Sequence, residues 1–121
     1  MEIKFDAILI ATWEHFTPID INFEDNTLTA SLNGVSIKTY SFSTDGNSGE
    51  VVLRQYTGGR DIKYKDVYAG DILRDKRGNM YYIIFADMSF RAMYKDGYCY
   101  KYFFDDEIIG NIYTSPDTIS W

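Results

Sequence analysis

A chain of 121 residues has the size of a single domain, with room for one hydrophobic core and not two. Its 45% hydrophobic content excludes a disordered chain, and eleven tyrosines with eight phenylalanines favour pleated strands over helical bundles. The net charge of −6 disfavours nonspecific attraction to nucleic acid or to an anionic membrane surface.

The elements follow in chain order. Residues 3–10 begin with Ile3 and Phe5 alternating with Lys4 and Asp6 and then turn wholly apolar, as a strand entering a core does. Residues 13–18 read as a turn, with Pro18 holding Thr17 extended. Ile19, Ile21 and Phe23 alternate with polar residues, and so do Leu28, Ala30 and Leu32 after a turn at 24–26. Asn33-Gly34 suits a type I′ turn, which predicts a β-hairpin over residues 27–42. Residues 43–49 form a polar loop, and 51–56 form the next strand. Residues 57–70 lack periodicity, hold adjacent glycines and dense charge, and are expected to be a long ordered loop. Strands are expected at 71–74 and 80–86 around a turn at 75–79, then at 90–94 and 98–104 around Lys95-Asp96-Gly97, and finally at 107–113.

Such a run of short strands predicts an all-β fold. We expect a small antiparallel barrel or strongly bent sheet with an N-terminal β-hairpin extension, the whole of residues 1–121 being one domain. The expected core includes Ile8, Ile21, Leu53, Ile72, Ile83, Phe85, Ile109 and Ile112.

The apolar runs are far shorter than the ~20 residues that a membrane-spanning helix needs. The opening Met1-Glu2-Ile3-Lys4-Phe5-Asp6 lacks the pattern of a secretory signal. Cys99 is the only cysteine, so it forms no intrachain disulfide and reads as a small buried strand residue. These features together predict a cytoplasmic protein.

No catalytic set is visible. His15 is the only histidine and, with Cys99, supplies too few soft ligands for a zinc site. It has no evident nucleophile to serve and reads as a surface or packing residue. Thr57-Gly58-Gly59-Arg60 either offers backbone N–H groups and a guanidinium to an anion or is simple turn chemistry. Asp25, Asp66, Asp71 and Asp105-Asp106-Glu107 are candidates for a divalent metal or an acid pair, and read more simply as turn residues. The expectation is therefore a non-enzyme with no catalytic residues, no metal and no cofactor.

Two features suit binding. Between positions 54 and 77 stand Arg54, Arg60, Lys63, Lys65, Arg74, Lys76 and Arg77 with only four acidic residues, so the rest of the chain is strongly acidic. Tyr98, Tyr100 and Tyr102 fall on one face at period two, a row that could be core, a self-interface, or a platform for a partner or a nucleobase.

The second half also carries a recognisable run: Gln55-Tyr56-Thr57-Gly58, then Asp61, then Val67-Tyr68-Ala69-Gly70-Asp71-Ile72-Leu73, then Glu107-Ile108-Ile109-Gly110-Asn111-Ile112-Tyr113 and Pro116. In order and spacing it resembles the YopX family of phage and prophage proteins, with Ala69 standing where Glu is usual. The resemblance covers about residues 51–118, while the N-terminal half is similar only in character. It implies a phage or prophage origin, an all-β barrel-like domain and no established enzymatic activity, and it supplies no catalytic residues.

On this reading the chain is expected to bind and inhibit a host protein, such as an antiviral-defence component, in the host cytoplasm. It is also expected to form a homo-oligomer and to have no membrane role. Two rivals stand beside this. One is an oligomeric sink for a small nucleotide signal, held by Arg54, Arg60, Arg74 or Arg77. The other is a nucleic-acid-binding barrel, in which those residues track phosphates and Tyr98, Tyr100 and Tyr102 stack bases.

Overall fold

A computed structural model of the chain describes residues 4–31, 34, 36–44, 48–100 and 102–119. The chain divides into two units, Lys4–Gln55 and the part from Tyr56 onward, each with its own core. Both are all-β, as expected; a short 3-10 turn, Pro116–Thr118, is the only helical element among the described residues.

The N-terminal unit is one mixed sheet. Its strands are β1 (Phe5–Leu9), β2 (His15–Phe16), β3 (Asp20–Asn22), β4 (Thr27–Ala30), β5 (Lys38–Ser43) and the first half of β6 (Val51–Arg60), in the order β2-β1-β6-β5-β4-β3. The central place of β6 explains why Val51, Val52, Leu53 and Arg54 are all buried: both faces of an interior strand are covered. Ala7, Leu28, Ala30, Tyr40, Phe42, Val51 and Leu53 form the core, with Ile21 packed partly buried against it.

The expected turn at 13–18 contains β2, which pairs Phe16 with Ala7 and His15 with Ile8. Trp13 makes the reversal at φ 62°, donating its N–H to the Leu9 carbonyl. The hairpin over 27–42 forms as β4 and β5, and β3 and β6 continue it on either side. Its register, from Thr27↔Ser41 to Ala30↔Lys38, centres on residue 34. The type I′ turn expected at Asn33-Gly34 falls on residues 32, 33 and 35, which lie outside the described residues. The β5–β6 pairing is parallel, over Phe42↔Val51 and Ser43↔Val52, and departs from the antiparallel expectation. It needs Gly49, at φ 83°, because a Cβ there would sit 2.9 Å from the Phe42 carbonyl carbon.

The C-terminal unit contains the second half of β6, β7 (Asp66–Tyr68), β8 (Asp71–Arg74), β9 (Met80–Ala86), β10 (Ser89–Tyr94), β11 (Gly97–Cys99) and β12 (Glu107–Asn111). Five of them form an open sheet in the order β11-β10-β9-β8-β12, and β7 pairs with β6, so no closed barrel forms. Val67, Leu73, Tyr81, Ile83 and Ala92 make its core.

Several expectations change here. Residues 57–70 are not one loop, because they hold the end of β6, a tight turn and β7. The strand expected at 98–104 pairs only through Cys99, opposite Ala92. Cys99 is exposed, since β11 is an edge strand that nothing covers. Phe85 is 46% exposed on the outer face of β9, while Ile109 and Ile112 are half-buried. Asp71 and Asp106 are buried and are not surface turn residues.

The motif residues build this architecture. Gly70 takes φ 91°, and a Cβ on it would collide with the Tyr113 ring. Asn111 Oδ1 accepts the N–H groups of Tyr113 and Thr114, closing the turn after β12. The Asp71 carboxylate accepts the Tyr68 N–H.

Candidate functional site

A site-like feature among the described residues grows out of an irregularity in β6. Tyr56 pairs with Tyr68 and Arg60 with Asp66, so three residues of β6 face Val67 alone. Two extra residues must bulge out. Gly58 absorbs the bulge at φ 89°, a conformation that glycine adopts without a Cβ penalty. The Thr57 hydroxyl holds it, donating to the Val67 carbonyl at 2.7 Å and accepting the Gly59 N–H at 3.1 Å. Gly59 is flat for a different reason: a Cβ there would lie 2.9 Å from Cδ2 of Phe103.

This bulge is the floor of a cleft of about 290 Å³. Phe90 of β10 forms one wall, and Tyr100, Tyr102, Phe103 and Phe104, from the segment after β11, form the rest. Tyr102 and Phe104 are exposed, with ring centroids 6.4 Å apart, and Tyr98 meets Tyr100 edge-on at 6.0 Å. Arg60 is the cation of the lining. Its Nε donates to Asp66 Oδ1 at 3.2 Å, and that bond and charge hold the guanidinium's pKa above its ordinary value.

Of the sequence-derived candidates, Arg60, Tyr100 and Tyr102 come together in this cleft. Tyr98 borders it through Tyr100 and carries the Arg91 guanidinium over its ring at 4.6 Å. Arg54 belongs to the N-terminal unit, is 3% exposed, and donates through Nε and Nη2 to Asp6. Arg74 pairs with Glu107, and Arg77 is exposed in the turn between β8 and β9. Lys63 and Lys76 pair with Glu107 and Asp105. The basic segment is thus laced with acidic partners. Sequence reasoning weighed Gly59 only as part of an anion-binding or simple turn and passed over Phe103 and Phe104 as site residues; the available signal was a Gly-Gly pair and an aromatic cluster in one chain.

The remaining polar clusters are structural in their geometry. His15 does have a partner: its Nδ1 lies 2.9 Å from Asp6 Oδ2. Asp61, 2% exposed, accepts the N–H groups of Lys63 and Lys65 on Oδ1 and of Ile108 on Oδ2, pinning the turn after β6 to β12. The Tyr81 hydroxyl donates to the buried Asp106 carboxylate at 2.5 Å, and burial, then that carboxylate, raise the phenol's pKa. Among the described residues no group of three or more His, Cys, Asp or Glu side chains is placed to hold a metal ion. No helix among them is long and apolar enough to cross a membrane.

Comparison with known proteins places these features in context. The family model described as YopX protein matches residues 11–120. A crystal structure of protein EF1440 from Enterococcus faecalis is similar in fold, with a TM-score of 0.62, 21% identity and 99% of each chain covered. No curated protein matches the sequence.

Proposed function

The chain belongs to the YopX family, and from that footing we propose that it is a phage-type binding protein without catalysis, whose aromatic cleft takes an apolar anchor side chain of a host protein. A component of antiviral defence in the host cytoplasm is the partner class this suits. The observation that carries the reading is the cleft itself, a half-open groove with aromatic walls on a glycine floor. Interfaces concentrate their energy in buried aromatic and apolar anchors seated in such pockets. Small-molecule sites run from roughly 300 to 1,000 Å³. At about 290 Å³ the cleft suits one side chain better than a whole nucleotide. The acidic chain would further repel phosphates, while matching the basic rim of a partner that itself handles nucleic acid.

A second reading keeps some support. Tyr100 and Tyr102 are exposed beside Arg60, an arrangement that could stack a base. The nucleotide sink has less, because Arg54 and Arg74 are engaged by Asp6 and Glu107.

One pull-down from infected host lysate tests the proposal, with eluates analysed for protein, nucleic acid and small molecules together. The wild type should retain a host protein that Tyr102→Ala/Phe104→Ala releases. Retention of a nucleotide alone, or of nucleic acid alone, overturns it.

A further inference from the structure

The turn between β9 and β10 is built against local preference. Asp87 and Met88 both take positive φ, 51° and 67°. Two-residue hairpin turns of this kind are best served by Asn-Gly, because only short or absent side chains tolerate them. Met88 is also 90% exposed, so its side chain gains little packing within the chain to offset the strain. Strained, exposed apolar positions point to a partner.

The tip lies close to the cleft. Phe85 packs, tilted, against its cross-strand neighbour Phe90 with centroids 4.8 Å apart, and Phe90 lines the cleft. Only Ser89 separates Met88 from Phe90 along the chain, a span of roughly 7 Å. The tip's chemistry complements the cleft's. Met88 offers a thioether, which packs well against aromatic rings. Asp87 offers a carboxylate whose side chain is mostly exposed, even while it accepts from Arg91. The cleft offers aromatic walls with Arg60 among them.

We propose that the occupant of the tip's partner site is a second copy of this chain: two copies pair about a two-fold axis, each seating Met88 against Tyr102 and Phe104 of the other, with Asp87 facing the other copy's Arg60. Knob and hole on one small patch make a self-complementary surface, which closes as a dimer and does not propagate into a filament. This rests on the reading of the cleft as an anchor-side-chain pocket, and it makes the host anchor and the second copy competitors.

Sedimentation of the full chain at about 100 µM, where an interface of standard size is populated, tests it. The wild type should be a dimer. Met88→Gly should be a monomer, weakened at least about tenfold in association, with a thermal midpoint equal to or above that of the wild type when both are diluted to monomers, because glycine relieves the turn. In a Cys99→Ser background, Met88→Cys mixed with Tyr102→Cys should form a disulfide between copies. A monomeric wild type, or a dimer that Met88→Gly leaves intact, overturns the proposal. A monomeric wild type that still captures the host protein overturns only the pairing. A dimer dissolved by Met88→Gly, with no host protein captured, overturns only the host reading.

Discussion

Asp6 Oδ2 accepts from Arg54 at 3.1 and 2.6 Å and lies 2.9 Å from His15 Nδ1, so one buried oxygen ties three strands of the N-terminal unit together. The two partners differ in exposure, and their contributions should differ accordingly. Asp6→Ala leaves a buried guanidinium short of its carboxylate and should cost about 3 kcal/mol in chemical denaturation. His15→Ala, at a half-exposed side chain, should cost less than about 1 kcal/mol. Tyr81 makes a pH-dependent contribution. Its phenol is held protonated in the fold by burial and by Asp106, while an unfolded tyrosine ionises near pH ~10. A raised pKa stabilises below the unfolded value, so this contribution should be intact below about pH 10 and fade as pH rises above it. Tyr81→Phe should remove that alkaline slope and cost about 1–3 kcal/mol at neutral pH, measured by denaturant melts across pH.

Strand β12 is held to its neighbours by charge at an exposed edge and by Asp61 within. Glu107 receives Lys63 at 2.6 Å and Arg74 at 3.2 Å, and the Lys63 bond first, then its charge, lower the carboxyl pKa. A lowered carboxylate pKa stabilises above the unfolded value of about 4.3 and is lost as pH falls through the folded one. Glu107→Gln should therefore flatten the acid limb of a stability–pH curve, and added salt should do so partly as well. Gly70→Ala attacks the same unit through the backbone, combining positive φ with a clash on Tyr113, and should cost about 3 kcal/mol. Much of this architecture was legible. The turn at 75–79 and the apolar run after it revealed the strands at 71–74 and 80–86, and the Lys95-Asp96-Gly97 turn revealed the hairpin beyond. What misled has physical causes. Gly58-Gly59 reads as a loop because a bulge and a turn need the same residue. Residues 98–104 read as a strand because an aromatic run fits a sheet and a cleft wall equally well. Arg54 read as a candidate ligand residue because its carboxylate partner lies 48 positions away in sequence.

Across the whole molecule, the family match spans residues 11–120 and the similar solved structure covers 99% of the chain, yet the aromatic cleft lies within the C-terminal unit. Two adjacent glycines explain the placement: Gly58 bulges the floor and Gly59 admits Phe103. Glycines that set the fold therefore also shape the cleft, whose lining is mainly aromatic. The central claim is that this cleft receives an apolar anchor side chain. An amide-resolved NMR titration of the full chain with N-acetyl-tryptophanamide, with adenosine monophosphate as the counter-probe, tests it most directly. A fragment of this size at about 0.3 kcal/mol per heavy atom should bind with a dissociation constant on the order of 0.1–1 mM. The account predicts that the Gly58 and Gly59 amides shift with the indole probe and that Tyr102→Ala/Phe104→Ala removes the shift. Shifts at these glycines with the nucleotide alone, or none with the indole, would contradict it.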